Sequence, residues 1–376
     1  MGKPRPGKPR SHDKAVTVVG LGNIGAALIP HLARMRRLTR VTLIDNDIYE
    51  KRNLAFQDIL PGDVGKPKAV VQARRLHRIN PSLEVEALFE PVQNVPLGRL
   101  RCDVILADVD SMEARRVINE AAWALGAPWI DSGVRATDGL LARVTVYVPG
   151  RNAPCIECGW HEAHYRALEQ AHPCLGGGIR TAPTQAPLSI GALAAALQAI
   201  ECQKLLLGDV AHAASGRQVL IDAMHHSHFV TRYRRLPQCR FDHRVLGDVR
   251  RLSWGAGKLT FGQVLDLGRR VLGADGRIRL RVEGRPFVRK LQCLRCRRTR
   301  GVLRLRGRFG PRGLTCPRCG GRTVPVGFDI AERIDITAHD QKLLARTLRS
   351  AGFRPGEIFS IGTSQGREVH YEIQCV

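Results

Sequence analysis

Residues 16–57 read VTVVGLGNIGAALIPHLARMRRLTRVTLIDNDIYEKRNLAFQ. The apolar, β-branched VTVV predicts a strand, and Gly20, Gly22 and Gly25 follow it as G-x-G-x-x-G at the start of an apolar helical stretch. Glycines at those places let backbone N–H groups and a helix N-terminus approach a phosphate with no Cβ in the way. A second strand, VTLI, ends at Asp45, where a carboxylate can hold ribose hydroxyls. This much fits an NAD-binding Rossmann unit as well as any other nucleotide site.

The stretch after Asp45 is less usual. Asp47 is a second acid, and Asn53 and Gln57 stand four apart, sharing a face if the segment is helical. A dehydrogenase has no need of that polar row. Lys68 then opens an amphipathic helix in GKPKAVVQARRLHRINP. Farther on, CDVILADVDSMEARR is an apolar strand ending at Asp108 and Asp110, with Arg115 five residues after the second acid. A lysine, a carboxylate suited to Mg²⁺ and amide side chains converging on one crevice are what a triphosphate requires, because its charge must be neutralised at several oxygens.

These ordered motifs resemble those of the adenylyltransferases that activate ubiquitin-like proteins, the MoeB/ThiF enzymes of molybdopterin and thiamine biosynthesis and the ubiquitin-activating enzymes related to them. The resemblance covers roughly residues 14–245. It implies that Gly20, Gly22 and Gly25 form the nucleotide turn, that Asp45 binds ribose, and that D-x-D and N-L-x-R-Q fall on Asp45, Asp47, Asn53, Leu54 and Gln57. It implies that Lys68 contacts phosphate and that Asp110, with Arg115 behind it, is linked to Mg²⁺. PWIDSGV and the P-C-x-x-C of Cys155 and Cys158 also stand where the family places them. One position departs: the phosphate-contacting arginine of N-L-x-R-Q is Phe56 here. Many relatives supply another arginine from an N-terminal helix of a dimer partner, and here only a Pro-rich basic arm, residues 1–13, precedes the first strand. Arg52 lies one helical turn before Phe56, so on a continuous helix it projects from nearly the same face and is the expected substitute.

The chain has 376 residues, room for one large α/β domain and a smaller one. Its formal charge is +25, a balance that suits nucleic acid; arginine greatly outnumbers lysine throughout, however, as a GC-rich gene produces without selection for binding, so nucleic acid is not the expected partner. No apolar run approaches the ~18 residues of a membrane span. The basic N-terminus lacks an apolar signal core, and Pro6 spoils a myristoylation pattern, so a cytoplasmic protein is expected.

Eleven cysteines without an export signal point to metal rather than disulfides. Cys293, Cys296, Cys316 and Cys319 form C-x₂-C-x₁₉-C-x₂-C, a zinc ribbon within residues 289–326. Cys155 and Cys158 need two more ligands. The resemblance implies a cysteine pair just after the last strand of the domain, where this chain reads LPQCRFDHR; Cys239 and His243 would then complete a Cys₃His zinc site, Cys174 or solvent being the alternatives. Both sites are expected to be structural. Cys102 and Cys202 read as small buried hydrophobes. Cys174 lies in HPCLGGGIRTAPTQAP, within a crossover loop 159–187, beside His172, Arg180 and the start of a helix, all of which favour thiolate. In the ubiquitin-activating relatives without a separate catalytic-cysteine domain this loop carries the nucleophile, so the resemblance implies that Cys174 accepts the acyl group as a thioester.

Residues 246–376 fall outside the resemblance. KLTFGQVLDLGRRVLGADG reads as an amphipathic helix ended by glycine, RIRLRVEGRPFVRK as a β-hairpin, and the segment after the ribbon as a helix and two short strands. The expected fold is α/β, a Rossmann-like doubly wound sheet of the ThiF/MoeB type in 14–245, with a smaller C-terminal α+β module containing the zinc ribbon. The expected activity is ATP- and Mg²⁺-dependent adenylation of the C-terminal carboxylate of a ubiquitin-like protein, then a thioester on Cys174 and transfer to a ubiquitin-conjugating-enzyme-like partner, in a homodimer. By analogy the added zinc module suggests a bacterial ubiquitin-like conjugation system of the kind associated with antiviral defence. A sulfur-carrier or peptide adenylyltransferase without a thioester step is the alternative, and a nucleic-acid-binding protein using the basic ribbon a further one.

Overall fold

Val16, Val18 and Val19 are buried on both faces of their strand, as a central strand of a parallel sheet requires. In chain order the elements are β1 (Lys14–Val19), α1 (Asn23–Leu32), β2 (Leu38–Ile44), α2 (Lys68–Ile79), β3 (Glu84–Leu88), β4 (Val104–Ala107), α3 (Met112–Leu125) and β5 (Trp129–Arg135). β6 (Leu141–Tyr147), α4 (Glu162–Ala171), α5 (Leu188–Leu206), β7 (Arg217–Asp222) and β8 (Ser227–Arg232) follow. This is a computed structural model, and it describes residues 13–135, 140–171, 186–253, 257–274 and 276–374. The eight strands form one sheet in the order β3-β2-β1-β4-β5-β6-β7-β8. β1 to β5 run parallel and β6 to β8 antiparallel. The order reverses between β1 and β4, so a crevice opens beyond their C-terminal ends, the usual place for a ligand in such a sheet.

α5 is apolar almost all round: one side is buried against α1 and the sheet, while Leu188, Leu193 and Ile200 are exposed. It packs on α1, where Gly191 lies so close to Asn23 that a Cβ would sit 1.5 Å from Asn23 Oδ1. α3 starts at Ser111, whose hydroxyl accepts from Ala114 N–H, and ends at Gly126 in the left-handed region at φ 65°.

The described residues divide into two compact units, one within Met1–Val92, Leu100–His161 and Thr181–Arg244, the other within Gln93–Arg99, Glu162–Arg180 and Val245–Val376. The second is built on β9 (Val249–Leu252), α6 (Phe261–Leu272), β10 (Arg277–Val282), β11 (Phe287–Cys293), β12 (Thr299–Leu305), β13 (Thr323–Pro325), β14 (Ile330–Ala331), β15 (Arg333–Thr337), β16 (Ile358–Gly362) and β17 (Glu368–Ile373). One sheet runs β15-β10-β16-β17-β9; in the other β12, β11 and β13 are neighbours and β14 also pairs with β11. α6 opens with a capping box between Thr260 and Gln263 and ends at Gly273, φ 62°. Gly268 lets it approach the first sheet, since a Cβ there would be 2.7 Å from Ile278.

The expected hairpin does not form. β10 and β11 are adjacent in sequence but enter different sheets. At the turn between them Gly284 has φ 71°, and the next side chain, Arg285, is buried, donating to Glu357 Oε2 at 3.0 Å and to the carbonyls of Gln93 and Val95. That anchor carries β11 away from β10. Among the described residues no helix is long and apolar enough to cross a membrane.

Candidate functional site

Gly20 has φ 93°, and its N–H donates to Ile44 O at 2.9 Å, folding the glycine turn over the end of β2. A Cβ on Gly20 would lie 2.3 Å from Asp108 O, and one on Gly25 2.1 Å from Gly20 O. Gly22 is different: the nearest atom to a Cβ there is Gln57 Nε2, 3.9 Å away. α1 begins at Gly22 with no side chain capping its first turn. Its amides and positive dipole end therefore face the crevice, the arrangement that receives a phosphate.

Asp45, just past β2, fixes this turn. One carboxylate oxygen accepts Leu21 N–H at 2.7 Å and the other Asp47 N–H at 2.7 Å. Burial pushes its carboxyl above the usual carboxylate range, an effect that the positive charge of Lys68 partly offsets. Lys68 opens α2 with 9% of its side chain exposed, pairs with Asp47 Oδ2 at 3.2 Å, and lies 5.7 Å from the centroid of the Tyr49 ring. Tyr49 donates to Leu21 O at 2.9 Å and accepts from Gln72 at 2.8 Å, so a buried phenol supports the turn from beneath. Sequence reading missed Tyr49 and Gln72. Gln72 carried a signal, since four residues after Lys68 it shares that residue's face of α2.

Between Asp47 and α2 the chain forms a 3-10 turn, Lys51–Ala55, that ends before Phe56. The continuous helix on which Arg52 was to share Phe56's face is therefore absent. Arg52 is mostly exposed and pairs with Glu50 at 2.8 Å. Asn53 is buried, and its Oδ1 accepts Glu50 N–H at 2.7 Å, so it shapes the turn. Gln57 N–H donates to Asn53 O at 2.8 Å, and Gln57 lies just past the turn, beside Gly22, with a buried Oε1 that has no hydrogen-bond partner among the described residues.

The third strand of the crevice ends in two carboxylates with opposite surroundings. Asp110 is exposed, two residues beyond Asp108 and just before α3. Asp108 is held by the Ser132 hydroxyl; burial pushes its carboxyl up to about 7, partly offset by Ser132 and Gln198. Arg115 points into the protein, where Asp131, fully buried, accepts from it at 2.8 Å and from Arg143 at 2.7 Å. Burial alone would raise the Asp131 carboxyl, but Arg115 and Arg143 together hold it below its ordinary value. Asp131 and Ser132 stand in PWIDSGV, and an acid inside an apolar strand was the available signal for this triad.

The first cysteine cluster joins the turn after β6 to the segment after β8. Cys155 Sγ lies 3.8 Å from Cys158 Sγ and 3.7 Å from Cys239 Sγ, and His243 Nε2 is 3.3 Å from Cys158 Sγ. His243 Nδ1 is 2.8 Å from Phe241 O; donation to that carbonyl leaves Nε2 as the ligating nitrogen. The second cluster has Cys293 and Cys319 3.5 Å apart and Cys296 and Cys316 3.7 Å apart. In a tetrahedral zinc site with Zn–S of about 2.3 Å, sulfurs are separated by about 3.8 Å, so both sets fit the ion. Arg297 and Gly320, each following the second cysteine of a knuckle, take φ 59° and 68° and close the tight turns. Cys174, His172 and Arg180 lie outside the described residues.

The sheet, its crevice and the uncapped helix over the glycine turn define an α/β protein with a Rossmann-like nucleotide site. The chain belongs to the ThiF family, whose model matches residues 5–241. It is 30% identical over 241 residues to the sulfur carrier protein adenylyltransferase of Thermus thermophilus, an alignment covering 62% of this chain and 83% of that protein. It is also 30% identical over 164 residues to ubiquitin-like modifier-activating enzyme 5 of Oryza sativa, covering 40% of this chain and 38% of that one. A crystal structure of Escherichia coli MccB with ATP superposes with a TM-score of 0.50 at 24% identity, over 61% of this chain and 66% of that one, a likeness of fold.

Proposed function

We propose that this enzyme binds ATP with Mg²⁺ and adenylates the C-terminal carboxylate of a small ubiquitin-like protein. The observation that carries the reading is the convergence of Asp45, Lys68, Gln57 and the uncapped start of α1 on the Gly20–Gly25 turn. A carboxylate oxygen of the carrier bonds to the α-phosphorus, the bond to the bridging oxygen breaks, and pyrophosphate leaves. Alignment and neutralisation of phosphate charge do most of the work. Gly20, Gly22 and Gly25 admit the phosphates and Asp45 fixes the ribose with the lone pairs its two backbone bonds leave. Lys68 meets the transferring phosphate while Asp47 holds it in place. The Gln57 amide orients a phosphate oxygen, and Asn53 keeps the turn that presents it. Asp110 is the residue to hold Mg²⁺, which supplies further charge neutralisation. Arg115 acts through Asp131, setting the end of β5. Arg52, the candidate to replace the arginine absent at Phe56, has to leave Glu50 to reach phosphate.

The acyl group then passes to Cys174: the thiolate attacks the acyl carbon, AMP leaves, and a thioester forms that a conjugating-enzyme-like partner takes over. The rice relative's name, a ubiquitin-like modifier-activating enzyme, supports this step. Both cysteine clusters hold zinc as closed structural sites, and the working form is a cytoplasmic homodimer. A second reading, a sulfur-carrier adenylyltransferase without a thioester, is favoured by the Thermus relative, 83% of which is covered.

Labelled pyrophosphate should exchange into ATP only when the carrier is present, and Asp110→Ala should stop it; preferential binding of NAD would overturn the nucleotide assignment. Cys174→Ala should leave exchange nearly intact and abolish a thiol-sensitive adduct between enzyme and carrier. Persistence of the adduct would mean that Cys174 is not the nucleophile, and absence of any thiol-sensitive adduct in the parent enzyme would favour the second reading.

A further inference from the structure

From Arg289 to Val326 the chain carries eleven arginines, one lysine and no Asp or Glu. Arg289, Arg297, Arg298, Arg306, Arg318 and Arg322 are exposed, and none pairs with a carboxylate among the described residues. The fold gathers several of them. Leu294 N–H donates to Arg322 O at 2.9 Å, joining the two knuckles, so Arg297 and Arg298 after the first lie at the same end as Arg318 and Arg322 of the second.

Phe328 belongs to the same module. It sits in the 3-10 turn Gly327–Asp329 between β13 and β14, both paired to β11, with its side chain completely in solvent at 104% relative exposure. Val326 N–H donates to Lys290 O at 3.2 Å and Ile330 pairs with Val288, which brackets Phe328 level with Arg289. Single exposed apolar side chains are common on protein surfaces; what sets this ring apart is its complete exposure beside the run of unpaired arginines. The other large apolar residues exposed in this unit, Val245, Val271 and Leu294, are scattered. A protein partner would require contiguous apolar area around such a ring. A nucleobase requires only one ring face, with cations nearby for the backbone.

We propose that the four-cysteine module is a binding surface for single-stranded nucleic acid, with Phe328 stacking on a base and the unpaired guanidiniums engaging phosphates. The overall charge of +25 suits nucleic acid but does not by itself single out this partner. The acid-free stretch from Arg289 to Val326, with a fully exposed ring just beyond it whose acidic neighbour Asp329 is paired to Lys290 at 3.3 Å, supplies the reason locally, independently of the adenylation chemistry.

The test is fluorescence anisotropy with the full-length, zinc-loaded protein and labelled oligo(dT), oligo(rU) and a duplex of the same length, repeated across salt concentrations. Single strands should bind, with the logarithm of affinity falling by about 0.7 per phosphate contacted for each tenfold rise in salt. Phe328→Ala should weaken binding roughly tenfold with the salt slope kept. Arg297→Ala with Arg298→Ala should instead flatten the slope. Zinc content and pyrophosphate exchange, measured on every variant, should not move. Preference between oligo(dT) and oligo(rU) identifies the natural strand. Failure of both strands to bind overturns the proposal, and so does an unchanged affinity of Phe328→Ala. Equal binding of polyglutamate also overturns it, identifying a general acidic-partner surface.

Discussion

Gly22 and Gly25 belong to one motif but answer to different forces. Gly25 is required by the fold, since any Cβ there meets Gly20 O at 2.1 Å. Gly25→Ala should therefore destabilise the protein by about 1–3 kcal/mol, as overpacking does, and be seen as a lower melting temperature without nucleotide. Gly22 has open space, with nothing nearer than 3.9 Å. Gly22→Ala, which loses only a favourable helix-capping residue, should lower the melting temperature of the apoprotein much less than Gly25→Ala and weaken ATP binding, measured by calorimetry. If it melted early while binding ATP normally, the crevice beside Gly22 would not be where the phosphates go. The motif was legible because its geometry is local: a strand, a turn and a helix start fix where the glycines lie. Arg52 was less legible for the same kind of reason in reverse. Its placement depended on helical pitch, and the segment is a 3-10 turn that stops one residue short.

At the scale of elements, Asp131 locks α3 and β6 to β5 through Arg115 and Arg143. Its folded carboxyl titrates below its unfolded value of about 3.9, so its contribution is fully present above that value and is lost as pH falls through the folded one. Asp131→Asn should cost roughly 3 kcal/mol at neutral pH by leaving two guanidiniums without their carboxylate. The loss should begin to shrink below about pH 3.9, where Asp131 of the unfolded parent is protonated while the folded carboxyl is still ionised, and be least once pH has passed below the lowered folded value. Denaturant midpoints at both pH values check this; an equal loss at each would mean that the charge of Asp131 is not what matters. This triad was hard to read because its partners come from three separate elements. The hairpin across 277–290 was misread for a related reason. Alternation indicates a strand but not its sheet, and here the choice is made by Glu357, 72 residues after Arg285.

For the whole molecule, the two cysteine clusters lie in different units, one on either side of Arg244 in the division of the chain. Elemental analysis should find two zinc ions per chain. Cys239→Ser or His243→Ala should remove one and Cys316→Ser the other, each without lowering occupancy of the remaining site. A chain holding one zinc would mean that Cys155 and Cys158 do not form a closed site. The ribbon was legible from spacing alone, whereas the Cys₃His set needed a relative's pattern because its halves are 80 or more residues apart.

The second unit is also discontinuous: Gln93–Arg99 is part of it although residues of the first unit flank it on both sides. The Val95 carbonyl is taken up by Arg285, 190 residues later, and that of Asn94 by Arg354, 260 residues later. During synthesis at roughly 5–20 residues per second, that stretch is made about 10 to 50 s before its partners are. The nascent chain must carry open backbone acceptors through that interval, and a message cut short before Arg354 yields a product that never closes them.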